Sequence, residues 1–236
     1  MSHKLKFMTA LLITTSFSQS EENYLKAIFK INEDYDTVTT NAVSAEIKTT
    51  AASVTDMLKK LSDKNLVSYE KYHGVQLTKK GESVAKVLIR KHRLWEVFLV
   101  DKLGYHWDEV HEIAEQLEHI QSETLIDKLE AFLGLPKFDP HGDPIPDAKG
   151  NIPNQQQIPL SELKQGERGV IVGVKDSSSK FLRYLDSIHV SLGSKIEVIE
   201  YFEYDNSRTV LINGKKKITL SNLVGKNLFI KTGKKK

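Results

Sequence analysis

No cysteine occurs in the 236 residues. This excludes disulfide frameworks, thiolate zinc sites, iron–sulfur clusters and cysteine nucleophiles. Any metal must therefore be held by nitrogen and oxygen, a donor set that suits Mn, Fe, Zn or Co. Long apolar runs are missing too, and none is long enough to span a bilayer. The one stretch resembling a targeting segment is the N-terminus, where Lys4 and Lys6 precede the apolar run Phe7–Ile13. It is short, and Thr14-Thr15-Ser16-Phe17 gives no small-residue cleavage site, so an arm is expected there, not a signal peptide. No Ser/His/Asp order, phosphate loop or dinucleotide fingerprint appears. His111-Glu112-Ile113-Ala114-Glu115 begins like HExxH, but Glu115 stands where the second histidine must be. An enzyme is not expected, nor a membrane partner or small-molecule substrate, and the expected location is the cytoplasm. Proline is confined to Pro136–Pro159, which also holds Gly142, Gly150 and Gln155–Gln157. That segment reads as a linker.

The net charge of +3 conceals an asymmetry. Residues 1–100 carry 15 Lys/Arg against 11 Asp/Glu, residues 101–150 carry 4 against 12, and residues 151–236 carry 15 against 8. The first part suits phosphate, and the middle suits a cation.

Apolar spacing predicts helices at Glu21–Ile31, with Ser20 as N-cap, at Thr40–Ile47 and at Ala51–Asn65. Alternating segments follow at Leu66–Tyr72 and Val75–Leu77, joined through His73-Gly74. Helix, turn, helix and hairpin is the order of a winged helix-turn-helix. Thr49, Thr50, Ala52, Ser53, Thr55 and Asp56 cluster at the start of the second helix of that motif, followed by Lys59 and Lys60. In such motifs the first residues face base edges while lysines and hydroxyls hold phosphates; helix capping and solvation are the plainer roles for each residue taken alone. Long helical patterns then run over Gly81–Leu103, Trp107–Gln121 and Glu123–Leu133, suggesting a helical dimerisation unit. Beyond the prolines, short β-prone runs at Gly169–Val174, Lys195–Phe202, Thr209–Ile212, Lys216–Leu220 and Leu228–Lys231 predict a small SH3-like β-barrel. The tail Lys234–Lys236 reads as a solvated end.

From Leu103 to Asp127 there are seven carboxylates and three histidines, with no Lys or Arg. Like charges one turn apart destabilise a helix, so a compensating cation is expected. Glu115, Glu118 and His119 fall at i, i+3 and i+4, on one helical face. His111 lies one turn before Glu115, and His92 and Glu96 are again one turn apart. Two helices presenting such pairs offer the imidazole and carboxylate mixture that Mn(II) or Fe(II) accepts. A solvated acidic face is the alternative, as are a metal hydrolase and a metal-buffering scaffold without specific DNA affinity.

Three stretches carry a resemblance to a known family: Ser20-Glu21-Glu22-Asn23-Tyr24-Leu25-Lys26-Ala27-Ile28, Arg90-Lys91-His92-Arg93-Leu94-Trp95-Glu96, and Val110 through His119. With Leu135 through Pro146, they resemble the diphtheria-toxin-repressor family of metalloregulators, in its manganese-responsive branch with a C-terminal SH3-like (FeoA-like) domain. The resemblance implies a homodimer that binds palindromic operator DNA and represses metal-uptake or metal-homeostasis genes when metal is plentiful. It implies a primary metal site at Asn23, Glu115, Glu118 and His119. Manganese-responsive members carry Glu at the position of Glu115 and iron-responsive members carry Cys, so Mn(II) is the expected metal. Fe(II) is the alternative, and Zn(II), Co(II) or Cd(II) could substitute in vitro. Asn23 departs from the Asp usual in the manganese branch. A second site is implied at Glu96, Asp139, His141 and Asp176, with His92 nearby and His111 a further candidate ligand. The barrel ligands of the iron branch would fall near Ser177 and Lys180, which cannot serve. The resulting expectation is an α+β chain: an arm (1–17), a winged helix-turn-helix (18–80), a helical metal-binding and dimerisation domain (81–146), a linker (147–157) and the SH3-like domain (158–236).

Overall fold

The computed structural model describes residues 17–70 and 73–233. The arm before Phe17, the Lys71-Tyr72 end of the first expected strand and the tail Lys234–Lys236 lie outside the described residues. The chain forms two compact units. Among the described residues, one combines those up to Trp95 with Ala114–Leu135 and Pro146–Ile152; the other combines Glu96–Ile113, Pro136–Ile145 and those from Pro153 onward. Among the described residues no helix is long and apolar enough to cross a membrane.

The first unit opens with helix α1 (Gln19–Asp34). Its N-cap is Ser18, not the expected Ser20, because Ser18 and Glu21 form a reciprocal capping box that satisfies two backbone N–H groups. Helices α2 (Thr40–Ile47) and α3 (Ala51–Asp63) follow, capped by Thr39 and Thr50. Strands β1 (Val67–Glu70) and β2 (Gly74–Leu77) pair antiparallel as the wing. Leu25, Ile28, Val43, Val54, Leu58, Leu61 and Leu66 are buried together, drawn from the apolar faces that the helical spacing defines. Helix α4 (Lys79–Leu103) starts against the base of the wing. A Cβ at Gly81 would stand 2.0 Å from the Leu66 carbonyl oxygen, so only glycine permits that approach.

Helix α5 (His111–Leu117) is much shorter than the expected Trp107–Gln121. Residues 106–109 form a turn, with the Glu109 N–H donating to the His106 carbonyl, and the Trp107 indole N–H donates to Asp186 at 3.1 Å. At the other end the Ile120 N–H turns back to the Leu117 carbonyl. Helix α6 (Glu123–Phe132) is capped by Ser122.

The second unit is a six-stranded antiparallel sheet of β3 (Ile158–Pro159), β4 (Arg168–Val174), β5 (Lys195–Tyr201), β6 (Arg208–Ile212), β7 (Lys216–Leu220) and β8 (Leu228–Thr232). The order is β3-β8-β4-β5-β6-β7. Register shifts in β4 at Ile171/Gly173 and in β5 at Val198/Glu200 mark bulges, which bend strands and increase twist. Two helices interrupt the β-rich pattern, α7 (Ser179–Ser187) and α8 (Asn222–Lys226). Leu182 and Leu185 of α7 join Ile171, Val198, Val210 and Ile230 in the core. The proline-rich segment is not a uniform tether. Its residues 136–145 belong to this unit, and a Cβ on Gly142 would stand 2.1 Å from the Val172 carbonyl oxygen.

Candidate metal centre

Within the first unit, Glu115 comes from α5, and Glu118 and His119 from the turn that closes it. Glu118 keeps the helical bond from its N–H to the Ala114 carbonyl, so the one-turn relation to Glu115 survives the shorter helix. Its carboxylate is fully buried. A buried charge must be paired, and Glu118 is paired twice. Lys26 Nζ, from α1, lies 2.6 Å from Glu118 Oε1 and 2.5 Å from Glu115 Oε1. His92, from α4, donates through Nδ1 to Glu118 Oε2 at 2.6 Å. His119 Nδ1 donates to Glu22 Oε2 at 2.7 Å, and the Gln121 amide donates to Glu22 Oε1 at 3.2 Å. That fixes the outer face of the His119 ring and leaves Nε2 inward, 3.8 Å from Glu118 Oε1.

Ligand atoms of His92, Glu115 and Glu118 all lie within 4.8 Å of one another. His92, expected beside the second site, precedes Glu96 of that site by one turn of α4 and also meets Glu118. Asn23 lies three residues before Lys26, on the same face of α1. Its Oδ1 is buried with no hydrogen-bond partner among the described residues. An orphaned buried carbonyl oxygen is costly. On the helix face that bears Lys26, whose ammonium bridges Glu115 and Glu118, such an oxygen fits a divalent cation.

The acidic stretch is also offset by protein cations from other elements. Arg90 reaches Glu130 at 2.8 Å and Asp127 at 3.1 Å, and Lys91 donates to the Ile120 carbonyl at 3.1 Å. Burial pushes the Lys91 ammonium pKa below its usual range, against the pull of Glu22, Glu118 and Glu123. The missing lysines alone therefore do not require a metal; the orphaned Asn23 oxygen is the sharper indication.

In the second unit, Glu96, Asp139 and His141 are buried and offer ligand atoms within 4.8 Å of one another. Asp139 Oδ1 accepts from the His141 and Asp143 N–H groups, at 2.8 and 2.9 Å, which folds the loop tightly around it. His141 stacks on Trp107 and donates from Nε2 to the Trp107 carbonyl at 2.8 Å, leaving Nδ1 3.6 Å from Glu96 Oε2. Burial opposes charge on this ring, but Glu96 and Asp139 outweigh it and raise its pKa to about 9. His111 is partly exposed, with Nδ1 3.4 Å from Glu96 Oε1. Asp176 is not part of this cluster; its Oδ1 accepts from the Ser178 N–H at 2.9 Å, in the turn before α7.

On α3, Thr50, Ala52, Ser53, Asp56, Lys59 and Lys60 are exposed, and Thr49 and Thr55 are half-buried. Thr50 caps the helix through the Ser53 N–H, and Thr55 bonds back to the Ala51 carbonyl. Lys60 lies 3.0 Å from Glu21 Oε1 and Lys64 lies 2.8 Å from the same oxygen. Burial works against the charge on Glu21, but Lys64, the Ser18 N–H and Lys60 hold its pKa below the usual carboxylate range.

Sequence patterns of three known domains cover this architecture: the N-terminal DNA binding domain of iron dependent repressors over residues 16–75, their metal binding and dimerisation domain over 78–147, and the FeoA domain over 158–232. A solved structure described as a manganese-dependent transcriptional repressor complex with manganese is 34% identical, with a TM-score of 0.83, covering 90% of this chain and 99% of that one. The chain belongs to the diphtheria-toxin-repressor family. It is a metal-dependent, DNA-binding transcriptional repressor. The iron-dependent repressor IdeR of Mycobacterium leprae is 29% identical over 64% of this chain and 69% of its own length. The diphtheria toxin repressor of Corynebacterium diphtheriae is 25% identical over 82% of this chain and 89% of its own. Relatives of this repressor thus include proteins named for iron and for manganese.

Two residues at the centre of this repressor were not singled out by sequence reasoning. Glu22 lies in the first turn of α1, where an acid is favourable, and Lys26 lies one turn further along. Their partners lie 97 and 89 residues away, at His119 and Glu115.

Proposed function

We propose that this repressor is a homodimer activated by Mn(II) to bind palindromic operators and control metal-uptake or metal-homeostasis genes in the cytoplasm. It acts as a regulator and not as an enzyme. The observation that carries the reading is the orphaned Asn23 oxygen on the helix face that also bears Lys26, whose ammonium bridges Glu115 and Glu118. We assign Asn23, Glu115, Glu118 and His119 as the ligands. Three oxygens and one nitrogen, with no cysteine thiolate anywhere in the chain, favour manganese over softer metals. Glu96, Asp139 and His141 form the second site, with His111 at its edge and Asp176 outside it.

When bound, the ion supplies the positive charge that ties Asn23 of α1 to the α5 turn. Glu22 holds His119 by Nδ1 so that Nε2 faces inward. Glu21, one residue earlier on α1, ties that helix to Lys60 and Lys64 at the end of α3. One turn of α1 therefore touches both the ligand cluster and the recognition helix. Thr49, Thr50, Ala52, Ser53, Thr55, Asp56 and Lys59 then meet bases and phosphates, and Lys60 serves phosphate or Glu21 in turn.

The test is an operator-binding titration with Mn(II), Fe(II), Zn(II), Co(II) and Cd(II) at fixed salt, because phosphate contacts make affinity strongly salt-dependent. Mn(II) is expected to activate at the lowest concentration. Glu115→Ala is expected to abolish activation while leaving a folded dimer. Full Mn-stimulated affinity in that variant would remove the site assignment, and activation by iron alone would move this repressor to the iron-responsive class.

A further inference from the structure

We propose that Lys26 is a built-in competitor for the cation site, so that metal is taken up by exchange for a lysine ammonium. The inference rests on the assignment of Glu115 and Glu118 as ligands. The Lys26 side chain is 6% exposed, and its ammonium lies 2.5 Å from Glu115 Oε1 and 2.6 Å from Glu118 Oε1. It reaches one oxygen of each carboxylate that a divalent ion would use. A buried ammonium held by two carboxylates is the arrangement expected of a substitute cation, because two like charges brought together need a positive charge between them.

Charge decides whether Lys26 can stay. Asn23 is a neutral amide, so Glu115 and Glu118 carry the negative charge of the proposed ligand set. With the ammonium in place their net charge is −1; with it gone, the two carboxylates balance a 2+ ion. An ammonium in direct contact with both carboxylates would also stand beside the ion, where like charges repel strongly in a site shielded from water. Lys26 must therefore leave both oxygens when metal enters. It stabilises the metal-free site and raises the metal concentration at which α1 is captured. That sets the threshold of the switch without any additional ligand.

The experiment uses the full chain and the metal alone, Mn(II) or Cd(II), in isothermal titration calorimetry. Lys26→Met keeps length and apolar stem but removes charge. It is expected to tighten the Glu115-dependent site at least tenfold and to lower the Tm of the metal-free protein but not of the metal-saturated protein. Unchanged or weaker affinity overturns the proposal. Should Lys26→Met not fold without metal, Lys26→Gln carries the same measurement. A readout on the unmodified chain is amine acylation followed by mass spectrometry. Lys26 is expected to be protected without metal and reactive with saturating Cd(II), and equal reactivity in both states overturns the proposal. If the unmodified chain binds no metal that Glu115→Ala abolishes, the ligand assignment itself fails; if it binds and Lys26→Met binds no tighter, only the role of Lys26 fails.

Discussion

Glu22 is buried at the start of α1, with both oxygens occupied by His119 and Gln121. A carboxylate held out of water on an imidazole N–H fixes the tautomer and ring orientation and raises the basicity of the opposite nitrogen. Glu22→Gln keeps the shape but removes the charge, and its amide can present only one acceptor. Metal affinity is expected to fall about 10–100-fold, the usual range for losing such an orienting partner. Calorimetry on the variant, with circular dichroism to show an intact fold, checks this. A change below about threefold, well short of that range, would mean that His119 is oriented by something else. At this scale the pairing of Glu115 with Glu118 was legible because helical spacing alone puts them one turn apart. Glu22 and Lys26 were not, because their roles come from partners brought in by tertiary folding. The Glu96–Asp139–His141 cluster was legible only through family resemblance. Asp139 is turned inward by backbone N–H groups of its own loop, which no periodicity announces.

Among the elements, α1 has the most to do. Its capping box at Ser18 and Glu21 fixes where the helix starts, and Glu21 also accepts from Lys64 and pairs with Lys60 on α3. The lysine side chains are 54% and 37% exposed. Each pair is therefore worth at most about 1 kcal/mol in stability. Its larger effect is on register between α1 and the recognition helix. Glu21→Gln can keep the capping box, which takes Gln as well as Glu, and is expected to cost about 1 kcal/mol of unfolding free energy through the lost lysine pairs, while reducing the metal-dependent gain in operator affinity severalfold. Metal affinity without DNA should stay nearly unchanged, since Glu21 touches no ligand. Measuring operator affinity with and without Mn(II) for both proteins decides it; an undiminished gain would show that coupling bypasses this contact. Helices α2 and α3 were legible to within two residues, because capping hydroxyls and apolar spacing coincide there. Helix α5 was overextended, because Trp107 reads as helical but is committed to Asp186 and the β-rich core. Helix α7 was missed because nine residues with two buried leucines are too short to stand out from neighbouring strands.

For the whole molecule, the expected behaviour follows from joining these parts in the proposed dimer. Two recognition helices can meet a palindrome only if their separation matches half-sites about one DNA turn apart, or a multiple of that. If metal capture by α1 selects that separation, metal and operator bind one conformation in common. Thermodynamic linkage then ties the two couplings together: the factor by which saturating Mn(II) tightens operator binding is the product, over the two Glu115-dependent sites of the dimer, of the factors by which operator tightens Mn(II) binding. Such couplings are typically about 5–150-fold. Operator affinity should be measured at zero and saturating Mn(II), and Mn(II) affinity at zero and saturating operator, in one buffer, because salt alone moves DNA affinity by orders of magnitude. The two Glu115-dependent sites together should account for the full factor. Glu115→Ala should reduce both factors to one together, even if ions still enter the Glu96–Asp139–His141 cluster. If metal affinity stayed constant on adding operator while operator affinity rose with metal, the excess would have to come from metal binding elsewhere. The second cluster would then be the regulatory site and Asn23, Glu115, Glu118 and His119 the bystanders.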